Sequence, residues 1–323
     1  MNKIVSWLCA ALFTLGSAGG FAADGKAERV LVTEAFHSLL YLPVYVAKHQ
    51  GIFAQNQIDV ATIRSAGSGP TALAAVLSGE AQFSVHGPEH VGFAQQKGGK
   101  AKAVSAVANS APVWILARPD FTFNSPADLK GKRLVSGLAP GTSNTLLLRL
   151  LQQQGLDPKK DVTINEVQNG SELGPLLAGR ADAAVVYEPQ TDQGVEQGLK
   201  VVYDFTRDYP EYAFSTINTS EKTITDNPQL VARFVKSINE SLAFIHQHPD
   251  EAKKVARLEF ASLDGKVVDA AVQRMIDSNV YPANAVISPL AFTTAIDIQK
   301  FVGNITQDMP YEQIVDGQFA GKP

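Results

Sequence analysis

The chain carries one helix–strand plan twice, about one hundred residues apart. The first copy sets Leu73, Leu77, Gly79, Ala81 and Val85 ahead of Pro88; the second sets Leu173, Leu177, Gly179, Ala181 and Val185 ahead of Pro189. Each copy opens on a Gly/Ser turn (Gly67-Ser68-Gly69, Gly170-Ser171), runs through a short apolar helical pattern and breaks at glycine. An apolar run then reads as a strand and stops at a proline-containing loop. A chain that builds this unit twice, with a domain's length between the copies, is expected to form two similar α/β lobes. The gap between lobes is a favoured place for a ligand.

The rest of the pattern agrees with that division. Strands are expected over residues 29–36, 58–63, 83–85, 101–108 and 113–117, with helices over 42–50, 70–78 and 88–97 among them. Pro70 at the first helical position and Gly79 just beyond the last are the usual punctuation of a helix. A capped turn over 125–131 opens the second lobe. Strands follow over 133–136 and 162–167, within the module at 179–186 and over 201–203, with a helix over 144–154 closed by Gly155. Alternation of this kind predicts a mostly parallel sheet flanked by helices in each lobe. Beyond Phe214 the pattern reads as helical throughout, with an apolar stripe at Val231, Phe234, Val235, Ile238, Leu242 and Ile245 and further helices over 251–260, 267–277 and 289–302. The expected lobes are residues 23–112 and 113–213, with 214–323 returning to the first lobe. The chain crosses near 109–113 and again near 206–214, a two-strand hinge.

Residues 1–22 read as a secretory leader: Lys3 is followed by an apolar stretch over 4–15 and by Gly20-Phe21-Ala22 at the cut. That apolar core is shorter than the ~20 residues a bilayer span needs. Cys9 lies inside the apolar run, without the small-residue approach of a lipid-modified site, so no lipoprotein is expected. The exported chain then has no cysteine and must rest on its hydrophobic core. The formal net charge of −4 is spread out, with no Lys/Arg block. Clustered cations are what phosphate recognition needs, so no nucleic-acid partner is expected. The expectation is a periplasmic monomer.

Five segments in order carry a family resemblance. They are Leu42-Pro43-Val44-Tyr45-Val46-Ala47-Lys48 with Gly51-Ile52-Phe53, the turn at 125–131, Pro140-Gly141-Thr142-Ser143, Gly179-Arg180-Ala181-Asp182, and Tyr187-Glu188-Pro189. Together they resemble the nitrate/sulfonate/taurine-type substrate-binding proteins, whose pattern the thiamine-precursor binders share, over nearly all of the chain after the leader. The resemblance implies a two-lobed periplasmic binding protein of type II. Such a protein closes over a small solute and presents it to an ABC permease and ATPase complex in the inner membrane, without cofactor or catalysis.

Ligands of open α/β sheets lie beyond the carboxyl ends of the strands. The loops that qualify bring Phe36, His37 and Tyr41; Gly67 and Ser68; His86, Gly87 and Glu89; Gly141, Thr142, Ser143 and Asn144; and Tyr187 and Glu188. The Gly/Ser turns before 70–78 and 144–154 could hold an oxyanion on unpaired N–H groups, or Ser68, Ser143 and Asn144 could be helix caps. Glu89 and Glu188 could accept hydrogen bonds from an amino or ring N–H group, or be acids favoured at a helix start. Tyr41, Tyr187 and Trp114, the last at the hinge crossing, could face a planar solute or pack in the core. His37, His86 and His90 could ligate a metal, but Pro88 between the last two breaks the helical spacing, and no metal is expected.

Two carboxylates, several aromatics and no Lys or Arg in these loops suit a planar, nitrogen-containing solute such as a pyrimidine-type vitamin precursor. A sulfonate, nitrate or carboxylate held by helix N-termini is the alternative. An enzyme or sensor on the same fold is the second: Gly67-Ser68-Gly69-Pro70-Thr71-Ala72 matches G-x-G-x-x-A but follows the second strand, not the first.

Overall fold

A computed structural model describes residues 26–321 of the chain. The leader read over 1–22, with Cys9 inside it, lies outside the described residues. Ten strands run in chain order as β1 (Glu28–Glu34), β2 (Ile58–Ser65), β3 (Phe83–His86), β4 (Ala101–Ala108), β5 (Trp114–Ala117), β6 (Arg133–Gly137), β7 (Thr163–Val167), β8 (Ala183–Val186), β9 (Lys200–Asp204) and β10 (Ser215–Ser220). They form two five-stranded sheets, ordered β2-β1-β3-β10-β4 and β7-β6-β8-β5-β9. One plan is built twice: in each sheet four strands run parallel and one, β10 or β5, runs antiparallel between its neighbours.

The odd strand in each sheet is where the chain crosses. It passes from β4 to β5 and returns from β9 to β10, and the two connections bond to each other. Ala111 N–H donates to Tyr209 O at 3.1 Å, and Tyr212 N–H donates to Asn109 O at 3.0 Å. Two short, mutually bonded crossings make a hinge rather than a tether.

β10 corrects the expectation that everything beyond Phe214 is helical. Ser215-Thr216-Ile217-Asn218-Thr219-Ser220 holds a single aliphatic residue, yet every position is buried. Its side chains are satisfied by neighbouring backbone. Thr216 Oγ1 donates to His86 O at 3.1 Å, Thr219 Oγ1 to Gln82 O at 2.7 Å and Asn218 Nδ2 to Thr216 O at 2.9 Å. Burial without apolar side chains works because those bonds replace the ones lost to water.

The C-terminal helices form as expected, with helix Pro228–Gln247 burying its stripe and Phe83 stacking on Phe234 at 3.9 Å between centroids. They do not serve the first lobe alone. Arg274, on helix Gly265–Asp277, pairs with Asp192 of the second lobe at 2.7 Å. Gln299 Oε1 accepts from Thr145 Oγ1 at 3.3 Å, and Asn304 Nδ2 donates to the same Thr145 oxygen at 3.1 Å. Among the described residues no helix is long and apolar enough to cross a membrane.

Candidate functional site

Between the sheets, beyond the carboxyl ends of their parallel strands, lies a cavity of about 210 Å³. The first lobe lines it with Phe36, Leu40 and Tyr41 after β1, Gly67 to Pro70 after β2, and His86, Gly87 and His90 after β3. The second lobe adds Leu138 to Thr142 after β6, Asn169 after β7 and Tyr187 after β8; Phe214 and Ser215 close it where the chain returns. Contacts between the lobes surround this space. Thr142 Oγ1 donates to Glu89 Oε1 at 3.3 Å, Ser38 Oγ donates to Glu188 O at 3.0 Å, and Gln168 Nε2 donates to Gly67 O.

One wall is aromatic. The Phe36 ring lies 5.2 Å from Tyr187 and 6.0 Å from Tyr41, and Phe214 meets Tyr187 edge-on at 5.9 Å. Such rings offer faces and edges to a flat molecule. Tyr187 is held by its hydroxyl oxygen, which accepts the Ser143 N–H at 2.9 Å.

The opposite side is polar and holds no cation. His86 is buried, and burial together with the neighbouring His90 lowers it to about 3. His90, also lowered by burial, sits at about 4, so both imidazoles are neutral near pH 7. Several buried oxygens and nitrogens here lack a protein partner: Glu89 Oε2, His90 Nδ1, Asn169 Oδ1 and Ser143 Oγ. Unpaired buried polar atoms cost about 1–3 kcal/mol each, so their clustering around one cavity marks where a solute would supply partners.

Glycines make room for these groups. A Cβ on Gly87 would come within 2.2 Å of Glu89 Oε2, and one on Gly69 within 2.3 Å of His90 Nδ1. The Glu89 carboxylate therefore occupies the space a side chain on the cavity-lining Gly87 would fill. Gly87→Ala is expected to destabilise the fold by about 1–3 kcal/mol, as overpacking does. Adding Glu89→Ala should recover most of that loss in chemical denaturation; simple additivity of the two changes would place the strain elsewhere.

The structure separates the expected site residues into three groups. Phe36, Tyr41, Gly67, Ser68, His86, Gly87, Gly141, Thr142 and Tyr187 line the cavity. Glu89, Ser143 and Asn144 stand behind the lining; Asn144 Nδ2 donates to Ser136 Oγ at 3.0 Å. Ser68 also caps its helix, accepting from Thr71 N at 3.3 Å.

The remaining three expected residues lie outside the cavity lining. Trp114 is in the middle of a sheet as part of β5 and only 1% exposed, so its ring packs in the core. Glu188 turns away from the cavity to Arg274, 2.9 Å from Nε. His37 points outward, bonded to Glu34 Oε1 at 3.1 Å and Glu259 O at 3.2 Å, and stacks on Phe260. Leu40, Leu138, Phe214 and Ser215 line the cavity without having been expected there. The stop of the apolar run at Phe214 was the one signal for the last two.

Comparison with known proteins agrees with this architecture. The NMT1/THI5 like family matches residues 40–252. A riboflavin-binding protein, RibY of Chloroflexus aurantiacus, is 27% identical over 74% of this chain and 68% of its own length. Among solved structures, the periplasmic aliphatic sulphonate binding protein SsuA of Escherichia coli superposes with a TM-score of 0.69 at 19% identity, covering 85% of this chain and 90% of that one. The periplasmic nitrate-binding protein NrtA of Synechocystis PCC 6803 gives 0.66 at 11% identity, over 83% and 75%. The chain belongs to the NMT1/THI5-like family and has the two-lobed α/β fold of the periplasmic binding proteins.

Proposed function

We propose that the protein is the exported, non-catalytic solute-binding component of an ABC import system, and that its solute is a small planar ring bearing an N–H group. The observation that carries this reading is Glu89: a carboxylate 1% exposed, with Oε2 unpaired, directly behind the cavity-lining Gly87 of an aromatic-sided cavity lined by no Lys or Arg. An N–H donor would satisfy that oxygen, whereas an anion would meet a like charge. Size points the same way. A cavity of about 150 Å³ accommodates benzene, so about 210 Å³ suits a single substituted ring such as a pyrimidine. A tricyclic flavin exceeds it. Capture would follow hinge closure, with a solute that touches both lobes stabilising the closed state.

A sulfonate, nitrate or carboxylate is the second reading, because the N-termini of helices Gly69–Leu77 and Thr142–Gln153 both reach the cavity. Their N–H groups are partly taken, however. Thr71 N bonds Ser68, Ser143 N bonds the Tyr187 hydroxyl at 2.9 Å, and Pro70 has none to give.

Mass spectrometry of small molecules released from the purified protein is expected to return a nitrogen heterocycle or aromatic amine. In a thermal-shift panel of such amines, sulfonates, nitrate and nicotinamide cofactors, only the amine group should raise the melting temperature. Stabilisation confined to sulfonates or nitrate would establish the anion reading, one by nicotinamide cofactors the enzyme reading, and a flat response would remove the import role.

A further inference from the structure

A groove of about 750 Å³ adjoins the cavity, and Pro70, His90 and Pro140 line both. Its floor is made by two short helices lying side by side, both starting at the cavity and running outward. Helix Gly69–Leu77 contributes Pro70, Leu73, Ala74 and Leu77. The other, Glu89–Gln95 with the turn after it, contributes His90, Phe93, Ala94 and Lys97.

Both sets fall at i, i+3, i+4 and i+7, the spacing that puts four side chains on one helix face. Here Ala74 is exposed and Leu77 is 39% exposed. Seven residues at 1.5 Å rise give the groove a length of about 10 Å. No carboxylate lines it, and Lys97, seven residues beyond His90, is part of its lining.

We infer that this groove is a second compartment of the solute site, taking an unbranched apolar chain that extends from the captured ring and ends in an anionic group near Lys97. The inference rests on the proposed amine-binding cavity. The spacing argues for the chain, the shared lining by Pro70, His90 and Pro140 for its attachment to the ring, and Lys97 for the sign of its end. Because Pro140 comes from the second lobe, the chain would be gripped only when the lobes close.

The test uses the mature full-length protein and para-substituted anilines: aniline itself, 4-ethyl-, 4-butyl- and 4-hexylaniline, and 6-(4-aminophenyl)hexanoate, titrated calorimetrically. In the parent protein, affinity should rise roughly fourfold for each added methylene until the groove is filled. The hexanoate should bind more tightly than the hexyl compound. Ala74→Trp, at an exposed position, should abolish the gain with chain length while leaving aniline within about twofold. Lys97→Ser should remove only the preference for the carboxylate. If aniline binds but chain length has no effect, or has the same effect in Ala74→Trp, the groove is not part of the site and the inner-cavity reading stands. Loss of the carboxylate preference without loss of the chain-length gain in Lys97→Ser supports both halves; an unchanged preference overturns the anionic end. If aniline fails to bind, the amine reading of the cavity is wrong and this inference falls with it.

Discussion

Glu89→Gln is expected to weaken binding of the proposed amine solute by roughly 10- to 100-fold, the value of a hydrogen bond to a charged acceptor in a buried site. The unliganded fold should hold or gain stability, because the substitution removes a carboxylate that burial disfavours. Burial raises Glu89 to about 7, offset in part by bonds from its own backbone and from Thr142. The pH dependence then identifies the solute class. An N–H donor stabilises the ionised carboxylate, so its affinity should fall as pH drops below about 7 and level off above it. An anion avoids that charge, and its affinity should rise as pH drops through the same range. In Glu89→Gln either dependence should flatten. The unliganded protein gives the sign check. A carboxyl whose pKa is raised by folding contributes stability that is full below its ordinary value and lost as pH rises through about 7. Calorimetric titrations between pH 5.5 and 8.5 with the parent and the variant measure all of this, and a dependence that survives in Glu89→Gln would remove Glu89 from the site.

Much of the scaffold was legible because the sequence states it twice. The module ending at Val85 and again at Val185 predicts β3 and β8, and the loops after them bring Gly87 and Tyr187 to the cavity. Strand ends fix loops, so residues such as Phe36, Ser68 and Thr142 could be placed from periodicity and turns alone. What periodicity cannot see is burial that depends on hydrogen bonds. β10 escaped because Thr216, Asn218 and Thr219 are polar and become buried only through partners on β3 and the loop before it. Its loss from the reading also hid Ser215 and part of the return path through Phe214. Side-chain direction was equally hidden. Glu188 directly follows the cavity-lining Tyr187, yet it turns toward a helix more than eighty residues further along the chain. The aromatic assigned to the hinge, Trp114, opens β5 within the strand expected over 113–117, and its ring packs in the core. In each case the residue type was right for a site and a distant partner decided otherwise.

That distant partner supplies the largest stability effect expected here. Arg274 pairs with two buried acids of the second lobe, Asp192 through Nη2 at 2.7 Å and Glu188 through Nε at 2.9 Å. Its helix is joined by the Arg257–Asp269 pair to helix Pro249–Glu259, whose Glu259 meets His49 of the first lobe. The ion pairs thus link the two lobes behind the cavity. Arg274→Ala leaves Glu188 (0% exposed) and Asp192 (7% exposed) without their cation. Breaking a buried pair from one side costs about 3–5 kcal/mol; the guanidinium is itself 29% exposed, which favours the lower figure. The melting temperature should fall by roughly 6–10 °C.

The loss should depend on pH in a definite sense. Burial, reinforced by the charge of Asp192, already raises the Glu188 carboxyl well above its ordinary value of 4.5, and Arg274 pulls it back down. Without the arginine the carboxyl holds its proton to higher pH, and a protonated Glu188 needs no cation. A carboxyl raised by folding contributes most below its ordinary value and progressively less as pH increases. The deficit of Arg274→Ala should therefore be smaller at pH 5 than at pH 8, and Arg274→Lys should recover part of it by restoring charge without the planar fork. Solute affinity should fall as well, since Glu188 adjoins Tyr187 and its carbonyl ties Ser38 to the second lobe at 3.0 Å. Denaturant titrations at the two pH values decide the matter: equal deficits at both would mean that the charge of Glu188 plays no part, and that Arg274 acts through its pair with Asp192 and its packing.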